Sequence, residues 1–557
     1  MARRPGAGRH RHEVLQLLAR LPWTMAPFRD ILRFAVGRPA STGADPDWVV
    51  LDLRGSYPTH AGGSPLTAML QREETFEQFT ERLERLAEAT WLSGVLVRVG
   101  ELKAGLVTAR ALGAALGRLA SRTRVVGYLP QVSMRSLLVT AELQEVLAPE
   151  SAEVMLPGFA AEQVFLGAFL AKHGIGFENL RIREYKTALT QFSSDHMDDY
   201  EREQLTAYIE SAERTWLQTV AESAGPADVF DAALTSAGQL LDAGLITKVA
   251  YDDEIVTVID QPWGRAIELA LPDLGKKRRA KKADGVTVVP VIGAIVSGRS
   301  RPTPPVPVVP GPRAGSDTVV AALRKADRDE NTAAILLYVD SPGGSALASD
   351  LIDRAVARCR KPVVAVMGEV AASGGYYVSA RAGHIVASPF TLTGSIGVVA
   401  GKPVLAEFND RHGLNPETVG RELALFASPH RPFSDVERAW AQAMMDQVYE
   451  RFVARVATGR GMSTEQVDEI GRGRIWSGQD ALARGLVDEL GDVHDGVAAA
   501  RRLAGLAEDA PVRTVSSGFS LPGMPTFGKG AAATVESLWP FGSEKVLTWF
   551  DRSVRIR

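Results

Sequence analysis

Two short segments of the chain carry residue types that can perform nucleophilic chemistry. Asp340-Ser341-Pro342-Gly343-Gly344-Ser345 follows the apolar run Ala334 to Val339 and precedes a helical pattern over Ala346 to Arg358. Paired glycines at a strand-to-helix turn let the backbone approach a ligand and present amide N–H groups, which can hold a phosphate or a developing oxyanion. By itself such a turn needs no ligand, since a tight connection explains it. The second segment, Ala371-Ala372-Ser373-Gly374-Gly375-Tyr376-Tyr377, follows the apolar run Val363 to Met367 and opens another helix. A serine at such an elbow has its Oγ exposed, with the Gly374 amide beside it near a helix N-terminus. The plainer reading of Ser373 is an N-cap. Two glycine-bearing turns about thirty residues apart in one sheet would set an oxyanion hole beside a nucleophile.

DSPGGS from Asp340, AASGGYYVS from Ala371 and LTGSIGV from Leu392 to Val398 together resemble the bacterial signal peptide peptidase A family, also called protease IV. The likeness runs from about Val49 to Leu506 and matches the long, two-domain form of that family. It implies the crotonase-like fold shared with the Clp protease subunit and a serine peptidase activity. It also implies Ser373 as nucleophile, with Gly374 and the pair Gly343 and Gly344 as the oxyanion hole. Ser395 matches a family serine that hydrogen-bonds the catalytic lysine.

A serine hydroxyl needs a base, for which His, Lys or an N-terminal amine are the usual choices. Clp protease uses a histidine downstream of its serine, at a position held here by Val398. His384 opens the apolar run His384 to Ser388 and reads as structural. Single-domain relatives place a lysine further downstream, but Gly420 to Phe426 (GRELALF) has none. The repeat partner of that segment, Ile182 to Ala188 (IREYKTA), does contain one. Its Tyr-Lys-Thr-Ala context resembles the long-form family, which implies Lys186 as general base. A lone lysine is otherwise a solvated surface charge.

The elements that must position these residues occur twice, displaced by about 240 residues. Trp48 to Gly55 parallels Val286 to Gly293, Gly94 to Val99 parallels Ala334 to Val339, and Val125 to Leu129 parallels Val363 to Met367. SAGQLLDAGLITK from Ser236 parallels SGQDALARGLVDE from Ser477. Short apolar strands alternate with amphipathic helices such as Phe76 to Ala89 and Val436 to Ala457, which predicts parallel strands joined by helical crossovers. The fold class is α/β, with two tandem homologous crotonase-like domains at 46–272 and 286–506. They are flanked by a basic amphipathic arm at 1–45, a basic linker at 273–285 and a tail at 507–557. Arg301 to Pro312 is proline-rich and reads as an extended loop. Where the second half has Gly343-Gly344, the first has Lys103-Ala104. Where the second has Ser373, the first has Met134 or a close neighbour in QVSMRSLL. Each half thus lacks what the other keeps, and together they hold one complete set.

The 557 residues, 45% hydrophobic and 23% charged, are those of a globular chain with more than one core. A formal net charge of -3 gives no argument for nucleic acid. The single cysteine, Cys359, placed in a helix over Leu351 to Arg360, excludes an internal disulfide. No metal-ligand spacing or Walker loop occurs, and no cofactor is expected. No run is long enough to span a bilayer, and no signal peptide is evident. The basic, amphipathic Val14 to Val36 would either lie in a membrane interface or dock on its own protein, and Trp539 to Phe550 has the same two readings. The expected localisation is therefore membrane-associated or cytoplasmic. The resemblance implies remnant signal peptides as substrates, bound in a groove near Tyr376 and Tyr377, and a homotetramer. Two rivals stand beside the peptidase: an acyl-CoA-handling crotonase, which would leave Ser373 and Lys186 without a role, and a non-catalytic oligomeric scaffold.

Overall fold

Strands form where apolar runs are bounded by turn residues, and parallel strands packed between helices are buried on both faces. The computed structural model describes residues 48–59, 74–90, 92–221, 284–300 and 312–515, shorter stretches between 229 and 268, and strand pieces at Leu547–Trp549 and Arg555–Ile556. The arm at 1–45, the basic run at 275–283, residues 301–311 of the proline-rich segment and residues 539–546 lie outside the described residues.

In the first half the order is β1 (Trp48–Gly55), α1 (Phe76–Ala87), β2 (Gly94–Leu102), α2 (Leu106–Ala120), β3 (Arg124–Tyr128), α3 (Met134–Thr140) and β4 (Glu145–Ala148). Then come β5 (Gly176–Arg181), α4 (Asp199–Val220), α5 (Ala237–Asp242), β6 (Lys248–Val249) and β7 (Ala266–Glu268). Six of these strands make a parallel sheet in the order β7-β1-β2-β3-β4-β6.

The second half runs β8 (Gly285–Ile292), β9 (Ala294–Val296), β10 (Arg313–Gly315), α6 (Ser316–Arg328), β11 (Thr332–Ser341), β12 (Gly343–Ser345), α7 (Ala346–Ala357), β13 (Val363–Ala372) and α8 (Gly374–Ser379). It continues with β14 (His384–Ala387), β15 (Leu392–Gly394), β16 (Val399–Val404), α9 (Asp435–Arg460), β17 (Ile475–Ser477), α10 (Gly478–Ala483), β18 (Glu489–Leu490), α11 (Val493–Leu503) and β19 (Val512–Thr514). Its sheet reads β19-β8-β11-β13-β14-β18, the first sheet repeated strand for strand, with β15 and β17 added at the far end of β13. The repeat read from sequence is therefore an architectural repeat.

Several boundaries differ from the sequence reading. β11 continues through Asp340 and Ser341, and β13 continues through Ala372, so Ser373 follows its strand with no intervening loop. α7 stops at Ala357, which leaves Cys359 beyond the helix, half-buried with Sγ 3.3 Å from the Ala355 carbonyl. α9 begins at a Ser434–Glu437 capping box and ends at Gly461 (φ 64), a left-handed cap that suits glycine.

A third sheet joins the halves, in the order β10-β9-β12-β20-β16-β5, where β20 is Leu547–Trp549. β5 comes from the first half but pairs antiparallel with β16 along its whole length, from Arg181↔Val399 to Gly176↔Val404. Leu180 and Ile182 accordingly belong to the apolar core of the second half. Among the described residues no helix is long and apolar enough to cross a membrane.

Candidate active site

Ser373 occupies the junction between β13 and α8 with φ 53 and ψ -115. A non-glycine residue at positive φ is uncommon and costs roughly 1–3 kcal/mol, so its surroundings must impose it. They do: Ala372 is registered against Gly394 of β15, the Ser373 amide donates to the Gly394 carbonyl at 2.9 Å, and the Ser373 carbonyl accepts from Tyr377 N at 2.8 Å. In this conformation the side chain caps nothing. The N-cap reading of Ser373 therefore fails. Oγ lies 2.7 Å from Lys186 Nζ. Ser373 is fully buried, at 0% exposure, so the elbow is covered where an exposed hydroxyl was expected.

Lys186 reaches this point because β5 is an edge of the third sheet, paired with β16, and Ile182 N bonds the Val398 carbonyl at 3.1 Å, which carries the chain over the end of β13. The lysine is 1% exposed. Besides Ser373, Nζ meets Ser395 Oγ at 2.9 Å and the Ser395 carbonyl at 3.1 Å. No acidic partner is paired with it among the described residues, and burial pushes its pKa well below the ordinary lysine range. An amine that is neutral here has two N–H groups and one lone pair. The two Ser395 oxygens can take the N–H groups, which leaves the lone pair to accept the Ser373 proton.

The loop Gly471 to Arg474 lies against Ser395 and against the lysine itself. The Ser395 amide donates to the Arg474 carbonyl at 2.7 Å, holding Ser395 at φ 49. Gly473 has φ 88, and a Cβ there would meet Lys186 N and Cβ at 2.6 Å, so only glycine lets the two backbones touch. Arg474 stacks between the rings of Tyr185 and Trp476 and pairs with Glu203 at 2.8 Å. Gln204 Nε2 donates to the Tyr185 carbonyl and Thr187 Oγ1, both at 3.2 Å, while its Oε1 accepts from Ile475 N. Sequence reasoning missed Gly473, Arg474 and Gln204. The Gly-Arg-Gly-Arg run ahead of Ile475 was the available signal for the first two; Gln204 had none.

On the other side of Ser373, Gly374 is the first residue of α8, so its amide has no intrahelical acceptor. Gly343 and Gly344 lie in β12 with φ 95 and 150, and a Cβ on Gly344 would come within 2.0 Å of the Ile295 carbonyl. The Gly343 amide is engaged, donating to Ser341 Oγ at 3.1 Å. Tyr376 and Tyr377 do not line an open groove. Both are buried, and their hydroxyls donate to the Leu486 carbonyl and to Asp350. His384 is held by Glu489 at 2.8 Å, in keeping with a structural role.

The corresponding elbow of the first half holds Ser133, one of the neighbours of Met134, as the N-cap of α3. At the Lys103-Ala104 position, α2 presents its N-terminus to Glu369 of β13. That carboxylate accepts from Val107 N at 3.2 Å, Thr108 N at 3.0 Å and Thr108 Oγ1 at 2.8 Å. Desolvation raises the Glu369 pKa, opposed by these donors. Sequence reasoning did not find Glu369 either.

A buried serine and a buried lysine are thus brought together across two repeated α/β halves. The sequence pattern described as peptidase family S49 matches residues 118–263 and 355–507, one segment in each half, and the chain belongs to that family. It is 30% identical over 430 residues to the chloroplastic serine protease SPPA of Arabidopsis thaliana, covering 74% of this chain and 63% of that one. Against protease 4 of Salmonella typhi it is 33% identical over 386 residues, covering 65% and 60% respectively. Against protease 4 of Haemophilus influenzae it is 26% identical over 422 residues, covering 70% and 66%. The chain thus spans about two thirds or less of the length of these relatives. Among solved structures, a ClpP1 mutant from Listeria monocytogenes aligns with 38% of this chain and 94% of its own, at 18% identity and a TM-score of 0.25.

Proposed function

We propose that the chain is a serine peptidase in which Ser373 is the nucleophile and Lys186 the general base. The observation that carries this is the 2.7 Å approach of a buried Lys186 Nζ, with no acidic partner among the described residues, to Ser373 Oγ. Lys186 accepts the hydroxyl proton as Oγ attacks a peptide carbonyl. The Gly374 amide, at the N-terminus of α8, stabilises the oxyanion, with the Gly343-Gly344 backbone as the facing wall. Lys186, now protonated and still held by Ser395, gives its proton to the leaving amine. Water, deprotonated in turn by Lys186, then hydrolyses the acyl-enzyme.

The names of the relatives support peptides as substrates, and the family resemblance favours apolar, extended ones such as remnants of signal peptides. On the same footing, the assembly is a homotetramer that touches membranes peripherally. The acyl-CoA reading gives a buried Ser–Lys contact nothing to do, and the scaffold reading gives no reason to keep a lysine desolvated. A fluorophosphonate probe tests the proposal: the wild type should gain one adduct by intact mass, and Ser373→Ala and Lys186→Ala none. Labelling that survives Lys186→Ala would remove the lysine from its role, and absence of labelling in the folded wild type would remove the activity.

A further inference from the structure

The strand that leads to Ser373 is not regular. β13 keeps one register with β11 up to Val339↔Met367, and the next partners are Ser341↔Ala371, so Asp340 alone faces Gly368, Glu369 and Val370. At the same point β13 exchanges its other neighbour. It leaves β14 after Met367↔Ala387 and joins β15 at Val370↔Leu392. The bulge is pinned within its own half: Thr391 Oγ1 donates to the Gly368 carbonyl at 2.9 Å, and Val370 N donates to Asp340 Oδ1 at 3.3 Å. A Cβ on Gly368 would meet Asp340 Cβ and the Tyr338 hydroxyl at 2.8 Å, so the bulge closes tightly on β11. Bulges bend a strand and re-aim a side chain, often beside an active site.

The side chain re-aimed here is Glu369, and it points into the other half. α2 starts from Gly105, an N-cap with no side chain to satisfy the amides that follow. Glu369 caps Val107 N from 262 residues away, and Thr108 N and Oγ1 with it. A Cβ on Gly105 would fall 2.3 Å from both carboxylate oxygens, so a capping side chain at 105 and Glu369 exclude one another. The first half thus grips β13 at Glu369, four residues before Ser373, and meets Ser373 Oγ itself through Lys186. The far end of α2 is tied to the second half separately, by Arg118 and Asp492 at 3.4 Å. We propose that Glu369 is a positioning residue: by capping α2 it fixes the bulge of β13 against the first half and so sets where Ser373 Oγ meets Lys186. This rests on the peptidase reading above. Serine and lysine come from different halves, so their separation depends on how the halves are registered. A contact that only added cohesion could lie anywhere along the interface, as Arg118–Asp492 does, whereas Glu369 acts on the strand that carries the serine.

The test follows fluorophosphonate labelling in time, reading rate constant and final amplitude separately, beside kcat and KM on a peptide substrate. Misplacement by about 1 Å can cost about 10²-fold, so Glu369→Ala should lower the labelling rate constant and kcat by about that factor, with KM nearly unchanged. Glu369→Gln keeps one acceptor for Thr108 but turns an N–H group toward Val107 N, and should lose about 10-fold. It covers the case in which the alanine variant does not fold. Thr108→Val added to Glu369→Ala should cost nothing further, because both act through one contact. Arg118→Ala loosens the other end of α2, and should lower Tm while leaving the rate constant within about 2-fold. Rate constants for folded Glu369 variants equal to wild type, with only amplitude or Tm reduced, would overturn the inference, as would equal slowing by Arg118→Ala. Amide hydrogen exchange over residues 370–378, in a Ser373→Ala background, reads the hold without any chemistry. Protection there should fall with Glu369→Gln and not with Arg118→Ala. If the wild type does not label, the peptidase reading falls and exchange alone decides: lost protection upholds the grip on Ser373, and kept protection overturns it.

Discussion

The two halves place a serine at the same point, the cap of the helix that follows the third strand of each sheet, and use it for opposite ends. Ser133 is extended (φ -133, ψ 168), and its Oγ accepts from Ser136 N at 3.2 Å in a capping box. Ser373 is forced to positive φ and caps nothing. The neighbours differ to match. Met134 follows the first serine and Gly374 the second, while Lys103-Ala104 stands against Gly343-Gly344. In the first half the helix N-terminus opposite the elbow is already satisfied by Glu369. Residue type alone therefore does not make a nucleophile. On the proposed reading, the difference lies in a backbone that denies the hydroxyl its local acceptor role and in a desolvated lysine delivered from the other half.

The largest effects should come from the pair itself. Ser373→Ala and Lys186→Ala should each lower kcat/KM on a peptide substrate by at least ~10³-fold, and the double variant should be little worse, because such groups act as a unit. Steady-state kinetics of the three variants checks this, and additive losses would mean that serine and lysine work separately. Next in size is Gly473→Ala, whose Cβ would strike the Lys186 backbone. A displaced base should cost about 10²-fold in kcat, with KM nearly unchanged because the glycine lies on the lysine side of the site. A rise in KM of the same size would show that the loop acts through substrate binding instead.

Much of this was legible in the amino-acid order. The repeat, the alternation of parallel strands with helices in each half, and the candidates Ser373 and Lys186 follow from apolar periodicity, glycine turns, the complementary losses of the two halves and the family resemblance. The reach of the lysine was not readable in physical terms. It depends on β5 leaving its own half to pair with β16, a non-local pairing that the local pattern of Gly176 to Arg181 does not encode. Gln204 and Glu369 were hidden for a related reason: each is an ordinary polar residue whose importance arises only when an element from the other half is set against it. The burial of Tyr376 and Tyr377 was misjudged because a double tyrosine reads as a surface until the helices α7 and α9 are packed over it. Ser133 lay within the QVSMRSLL stretch all along, but its φ is what separates it from Ser373.

The pH dependence sharpens the comparison further. Lys186 must be neutral to act, so the rate of fluorophosphonate labelling should rise with pH through its lowered pKa and then level off below the ordinary lysine range. A profile rising only near the ordinary value, about 10.4, would place the lysine in water. The same burial carries a stability cost. The unfolded chain binds a proton on Lys186 that the folded chain does not, so over that interval stability rises with pH. Lys186→Met removes the ionisable group while keeping volume, and should raise Tm near neutral pH and flatten its pH dependence, as expected where function is kept at the expense of stability.

The smallest expected effect is at the other serine. Ser133→Ala removes the Oγ that accepts from Ser136 N and leaves the Ser136 hydroxyl, which donates to the Ser133 carbonyl, in place. Loss of an N-cap costs about 1 kcal/mol, so urea unfolding should show a midpoint shift of that size with an unchanged slope. Peptide hydrolysis and probe labelling should stay within about 2-fold, since a cap worth ~1 kcal/mol in a half that lacks both glycines and nucleophile leaves the site geometry alone. The converse substitution makes the contrast strict. Gly374→Met gives the second half the residue that follows Ser133, and at the first position of α8 it places a long side chain beside a buried nucleophile. If that variant kept full labelling, the glycine after the serine would be dispensable, and the distinction between the two elbows would reduce to the backbone angle of Ser373 alone.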